Sequence, residues 1–93
     1  MTSFHFHVTR TVVGDNGEYQ DVILTLPVRG FLWRYPEAWD TDDDDNAESV
    51  LSSFKKLLQR DDISSQERKF LADAVRRMSV LDLTDCYSYM SHF

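Results

Sequence analysis

The chain has one cysteine, two prolines and three glycines among 93 residues, and it has few bases: ten Lys and Arg against sixteen Asp and Glu. Each shortage excludes something. The lone Cys86 allows no intrachain disulfide and no zinc site built on paired thiolates. Every apolar run falls short of the roughly 18 to 20 residues that a membrane helix needs. The opening "MTSFHFHVTR" also lacks a basic head followed by an apolar stretch. A soluble, cytosolic protein without a membrane partner is the expectation. A formal charge of −6 disfavours direct binding to nucleic acid, because that affinity comes from counterions released by Lys and Arg contacts to phosphate. The familiar catalytic signatures are missing too: there is no Gly-rich phosphate loop, no Gly-x-Ser-x-Gly, no His-Glu-x-x-His and no Cys-x-x-Cys. Neither an enzyme nor a cofactor-binding protein is expected.

What is present fits one compact α+β domain over residues 1–93. With 42% hydrophobic and 28% charged residues the chain is too apolar for general disorder. A β-rich part (1–36), an acidic connection (37–46) and a helical part (47–93) follow one another. "FHFHVTRTVV" alternates, with Phe4, Phe6 and Val8 on one face and His5, His7, Thr9 and Thr11 on the other. "GDNG" (14–17) offers residues tolerant of positive φ, and alternation resumes through Val22, Leu24, Leu26 and Val28. This pattern predicts an antiparallel hairpin. Pro27 cannot donate to a ladder and marks an edge, a bulge or a strand end. "RGFLWRY" adds a short third strand, with Phe31, Trp33 and Tyr35 sharing a face.

The period then changes. Ala47, Val50, Leu51, Phe54, Leu57 and Leu58 recur at helical steps, with Asp45 or Asn46 as the cap. Ser64 and Glu67 match a capping box ahead of a second stripe made by Phe70, Leu71, Ala74, Val75 and Met78. A short third helix from about Leu83 to Met90, capped by Asp82, would turn Leu83, Cys86, Tyr87 and Met90 inward. The expected architecture is an N-terminal antiparallel hairpin or three-stranded sheet packed against two to three C-terminal helices.

The most unusual stretch is "WDTDDDDNAE" (39–48), which holds five aspartates and a glutamate without a single base; seven of the ten bases lie between Lys55 and Arg77. Three readings compete for it. As a calcium loop counted from Asp40 it places Asp42 and Asp44 correctly. Asp45 then stands where a glycine is required, and Leu51 where a bidentate glutamate is required. A looser divalent-ion site through Asp40, Asp42 and Asp44 would need no such loop. As a solvated connection, the run also favours the positive end of the following helix dipole, by about 0.3 to 1 kcal/mol per exposed carboxylate. As a protein-binding patch, its carboxylates present a negative field to a basic groove and imitate a row of phosphates.

His5 and His7 share a strand face about 6 to 7 Å apart, a spacing from which two ligands reach one metal. Only Cys86, His92 and distant acids remain to complete such a site, so the simpler reading is two half-exposed histidines on the polar face of an edge strand. Covered by a partner, they would make binding pH-sensitive. Cys86 would be a nucleophile only beside His5, His7 or His92; on the inner side of a helix it reads as a buried thiol. Trp33, Tyr35 and Trp39 gather around Pro36, and a core this small leaves some aromatics at the surface, where charge-rimmed aromatics serve as interface anchors.

The expected function is a small acidic binding module that occludes a basic surface on a protein or nucleoprotein complex. In size and charge it is comparable to phage or mobile-element inhibitors of nucleic-acid-binding defence complexes, of the anti-CRISPR or anti-restriction type, and to immunity proteins. That is an analogy of charge and size, carried by no motif. The candidate contact residues are Tyr35, Trp39, Asp40, Asp42, Asp43, Asp44, Asp45 and Glu48. A structural or regulatory subunit that dimerises through an edge strand or its helix pair is the alternative, and a metal-dependent enzyme stands behind both. Either a monomer or a homodimer is compatible with the sequence.

Overall fold

The computed structural model describes residues 4–28 and 46–92. Strands β1 (Phe4–Gly14) and β2 (Gly17–Val28), helices α1 (Ala47–Leu58) and α2 (Ser65–Ser79), and strand β3 (Cys86–His92) follow in that order. The sheet is antiparallel with strand order β2-β1-β3, so the N-terminal strand is central. The class is α+β. No described helix is long and apolar enough to cross a membrane. The strand predicted over 29–35 lies outside the described residues.

The hairpin follows from its turn. Gly14 pairs with Gly17 around Asp15 and Asn16, and the positive φ of 110° falls on Gly17, where the absence of a Cβ makes it tolerable. Val8 pairs with Leu24 but Thr9 pairs with Val22, so Ile23 is the extra residue of a β-bulge. The bulge corrects one expectation. It flips the phase of β2, and Val22, read from the sequence as a neighbour of Leu24 on the inner face, stands beside Thr9 on the outer face with 46% of its surface exposed. Pro27 is the penultimate residue of a strand at the edge of the described sheet, as its missing N–H requires.

The helices match their predicted stripes. Ala47, Val50, Phe54 and Leu57 of α1 and Leu71, Ala74 and Met78 of α2 are buried, together with Phe6, Val8, Leu26, Val28 and Cys86 from the sheet. Phe54 joins the layers, its ring 5.5 Å from Phe6 on β1 and 6.2 Å, edge-on, from Phe70 on α2. Asn46 caps α1 by accepting from the N–H groups of Glu48 and Ser49. Ser64 and Glu67 form the capping box of α2.

The third helix is not formed, and 47–93 is therefore not wholly helical. Asp82 caps a turn instead: its Oδ1 accepts from the Thr84 N–H at 3.1 Å, and the Cys86 N–H returns to the Leu83 carbonyl. Asp85 then takes φ 58°, which ends any right-handed helix before it starts. The chain leaves extended as β3 and pairs with β1 from Arg10 back to Phe4. Cys86 and Leu83 are buried as expected, whereas Tyr87 is 42% exposed because alternation turns it outward.

Candidate functional site

Two places carry chemistry. The first is the exit of the acidic segment. Asn46 makes an isolated antiparallel bridge to Tyr87, which fixes the start of α1 beside the start of β3. Glu48 follows in the first turn of α1 and is exposed to solvent, where the helix dipole favours a carboxylate. Tyr35, Trp39, Asp40, Asp42, Asp43, Asp44 and Asp45 lie outside the described residues. Several arginines that could neutralise such a segment are engaged elsewhere. Arg60 donates from Nε and Nη2 to Asp62 at 2.9 and 2.8 Å. Arg68 donates to the carbonyls of Leu58 and Arg60 at the end of α1, and Arg76 and Arg77 pair with Asp73 one turn away. The guanidinium of Arg60 holds the Asp62 carboxyl below its ordinary range, and the Thr84 N–H does the same for Asp82.

The second place is the sheet face turned away from the helices. His7 sits at its centre with both ring nitrogens engaged: Nδ1 is 2.9 Å from the Thr25 hydroxyl on β2, and Nε2 is 2.7 Å from the Ser91 hydroxyl on β3. Tyr89 stacks on the imidazole at 4.6 Å and His5 lies along the strand at 6.3 Å. Next to them the Thr9 hydroxyl donates to Gln20 Oε1, and Gln20 Nε2 donates to the Thr11 hydroxyl. Burial first, then the neighbouring His5, lowers the His7 pKa below its ordinary value, because both disfavour the cation. These histidines therefore stand on the central strand, not the edge strand expected from the sequence.

The line Ser91–His7–Thr25 has the connectivity of a nucleophile, a base and an orienting group. It lies on a flat sheet, however, where the β1–β2 and β1–β3 ladders consume the backbone N–H groups that would otherwise stabilise an oxyanion. Its chemistry is that of a cross-strand pin. Among the described residues no three His, Cys, Asp or Glu side chains gather to hold a metal. Cys86 is buried with its thiol directed at the Asp82 carbonyl, away from the outer face that carries His5 and His7.

Thr25, Tyr89 and Ser91, the partners of His7, were missed by reading the sequence. The available signal was the strict alternation in "CYSYMSH", which sends Tyr87, Tyr89 and Ser91 to one side. Comparison with protein-family models, with curated proteins and with solved structures finds no match to this chain.

Proposed function

We propose that the protein is an acidic binding module that occludes a basic surface on a protein or nucleoprotein complex. The observation that carries this reading is charge segregation. Residues 37–48 contain seven acids and no base, and Arg60, Arg68, Arg76 and Arg77 are engaged by carbonyls and acids of the helical layer. Exposed Glu48, held beyond the Asn46 cap, supports a segment that meets solvent where it enters α1. Asp40, Asp42, Asp43, Asp44, Asp45 and Glu48 supply the field that steers a cationic groove, and Tyr35 and Trp39 add desolvated contact beside it. An inhibitor of a nucleic-acid-binding defence complex is the class of function that such a surface serves.

The test begins with affinity capture from the native cell and measures association with the captured protein. Replacing Asp42, Asp43, Asp44 and Asp45 by serine lowers the association rate at least about tenfold at low salt, with a smaller loss at high salt where charge is screened. An association rate indifferent to both the substitutions and the salt refutes the proposal.

A further inference from the structure

In a protein of charge −6, the outer sheet face is a neutral area. From His5 to Thr11 on β1, Gln20 to Thr25 on β2 and Tyr87 to Ser91 on β3, the described side chains of that face include no Asp, Glu, Lys or Arg; Glu18, near the hairpin turn, is the first charge met. Solvated sheet faces usually carry charged residues, and loss of charge with gain of tyrosine is the composition of an interface centre. Tyr87 and Tyr89 are each 42% exposed here, beside Val22. The hydroxyl and imidazole network hands hydrogen bonds along and between the strands, so the polar groups of the face are engaged and demand little further solvation.

We infer that this face is the contact between two copies of the chain, packed sheet on sheet about a two-fold axis. Charge selects the occupant. Two copies each carrying −6 repel through most approaches, and the neutral face is one on which they meet without opposing like charges. Size sets the strength. Three strands spaced about 4.8 Å and a run of about nine residues rising about 3.3 Å each give roughly 14 by 30 Å, or about 800 to 900 Å² over both copies. Stable interfaces bury about 1,200 to 2,000 Å², so the dimer is weak and reversible. It is also acid-labile. The groups facing His7 are His5 on its own strand, Tyr89 on β3 and the Thr25 hydroxyl on β2, none of them an acid. Protons taken up by His5 and His7 of both copies would bring positive charges together across the axis.

Sedimentation equilibrium of the full chain over about 5 to 500 µM provides the test, at pH 8 and pH 5.5. The mass is expected to climb from 10.9 kDa toward twice that value at pH 8 and to stay nearer the monomer at pH 5.5. Tyr89→Lys and, separately, Val22→Lys set like charges against their own copies and weaken association at least about tenfold. Ser52→Lys, exposed on α1, leaves it unchanged. A mass of 10.9 kDa throughout overturns the inference. So does a dimer that both lysine variants, with native circular dichroism, form as well as the parent, or one indifferent to pH.

Discussion

The two faces of the sheet come from the same strands and are held by opposite physics. The inner face is apolar and dry. Phe6, Val8, Leu26, Val28 and Cys86 have almost no exposure, and what holds them is contact with Val50, Phe54, Leu71 and Met78. The outer face is built from imidazole, hydroxyl, amide and tyrosine groups joined by directional bonds, of which His7 makes one to each neighbouring strand. Non-directional packing tolerates no lost volume. A network spread over the surface tolerates substitution but responds to protons. Every difference in behaviour between the faces should follow from that contrast.

The strongest test is Phe54→Ala. Phe54 is fully buried between Phe6 and Phe70, so its loss opens a cavity shared by the sheet and both helices. A destabilisation of about 3 to 5 kcal/mol is expected in urea unfolding. A value under about 1 kcal/mol would mean that α1 is not the element that closes the inner face.

How far this contrast was legible in the sequence varies along the chain. Phe6 and Val8 against His5 and His7 showed it directly, and Ala47, Val50, Phe54 and Leu57 showed which helical stripe would cover it. β3 was misread because Leu83, Cys86, Tyr87 and Met90 satisfy a helical spacing while Cys86, Ser88 and Met90 satisfy a strand. Over seven residues the two periods do not separate. Residue type would have decided: tyrosine, serine and cysteine are weak helix formers, and Asp85 takes a left-handed turn. The pin around His7 was beyond reach, since Thr25 and Ser91 lie 18 and 84 residues away and only the strand order brings them together. Of the predicted contact residues, Glu48 was read correctly as exposed on the outside of α1. Tyr35, Trp39, Asp40 and Asp42–Asp45 fall outside the described residues.

A matched pair sharpens the comparison further. Val8 and Val13 belong to one strand, five residues apart and of opposite parity; Val8 is 0% exposed and Val13 is 75% exposed. Valine to threonine keeps the shape and adds a hydroxyl. At position 8 that hydroxyl enters the core and costs about 1 to 3 kcal/mol, toward the low end if it bonds to Ser88 across the ladder. At position 13 the change stays within about 0.5 kcal/mol. Equal effects in urea unfolding would deny that the two faces differ in the way described.

The smallest expected effect belongs to the outer face alone and is a matter of pH. The native sheet disfavours the cationic form of His7, so its folded pKa lies below the ordinary 6.5 that the unfolded chain shows. A lowered pKa means that the unfolded state binds the proton first as pH falls. The contribution is therefore complete above pH 6.5, is lost as pH drops from there toward the folded pKa, and is level below it. Asp62, Asp73 and Asp82, held below the ordinary carboxylate value of 3.8, stay ionised in both states through that window and do not contribute to the slope. Urea unfolding at about 1 µM, where a weak dimer is dissociated, should give lower stability at pH 5.5 than at pH 7.5, and His7→Gln should remove most of the difference. A slope that survives His7→Gln would assign the proton to another group. The pin would then be a packing feature like those of the inner face, and the contrast between the faces would lose its electrostatic half.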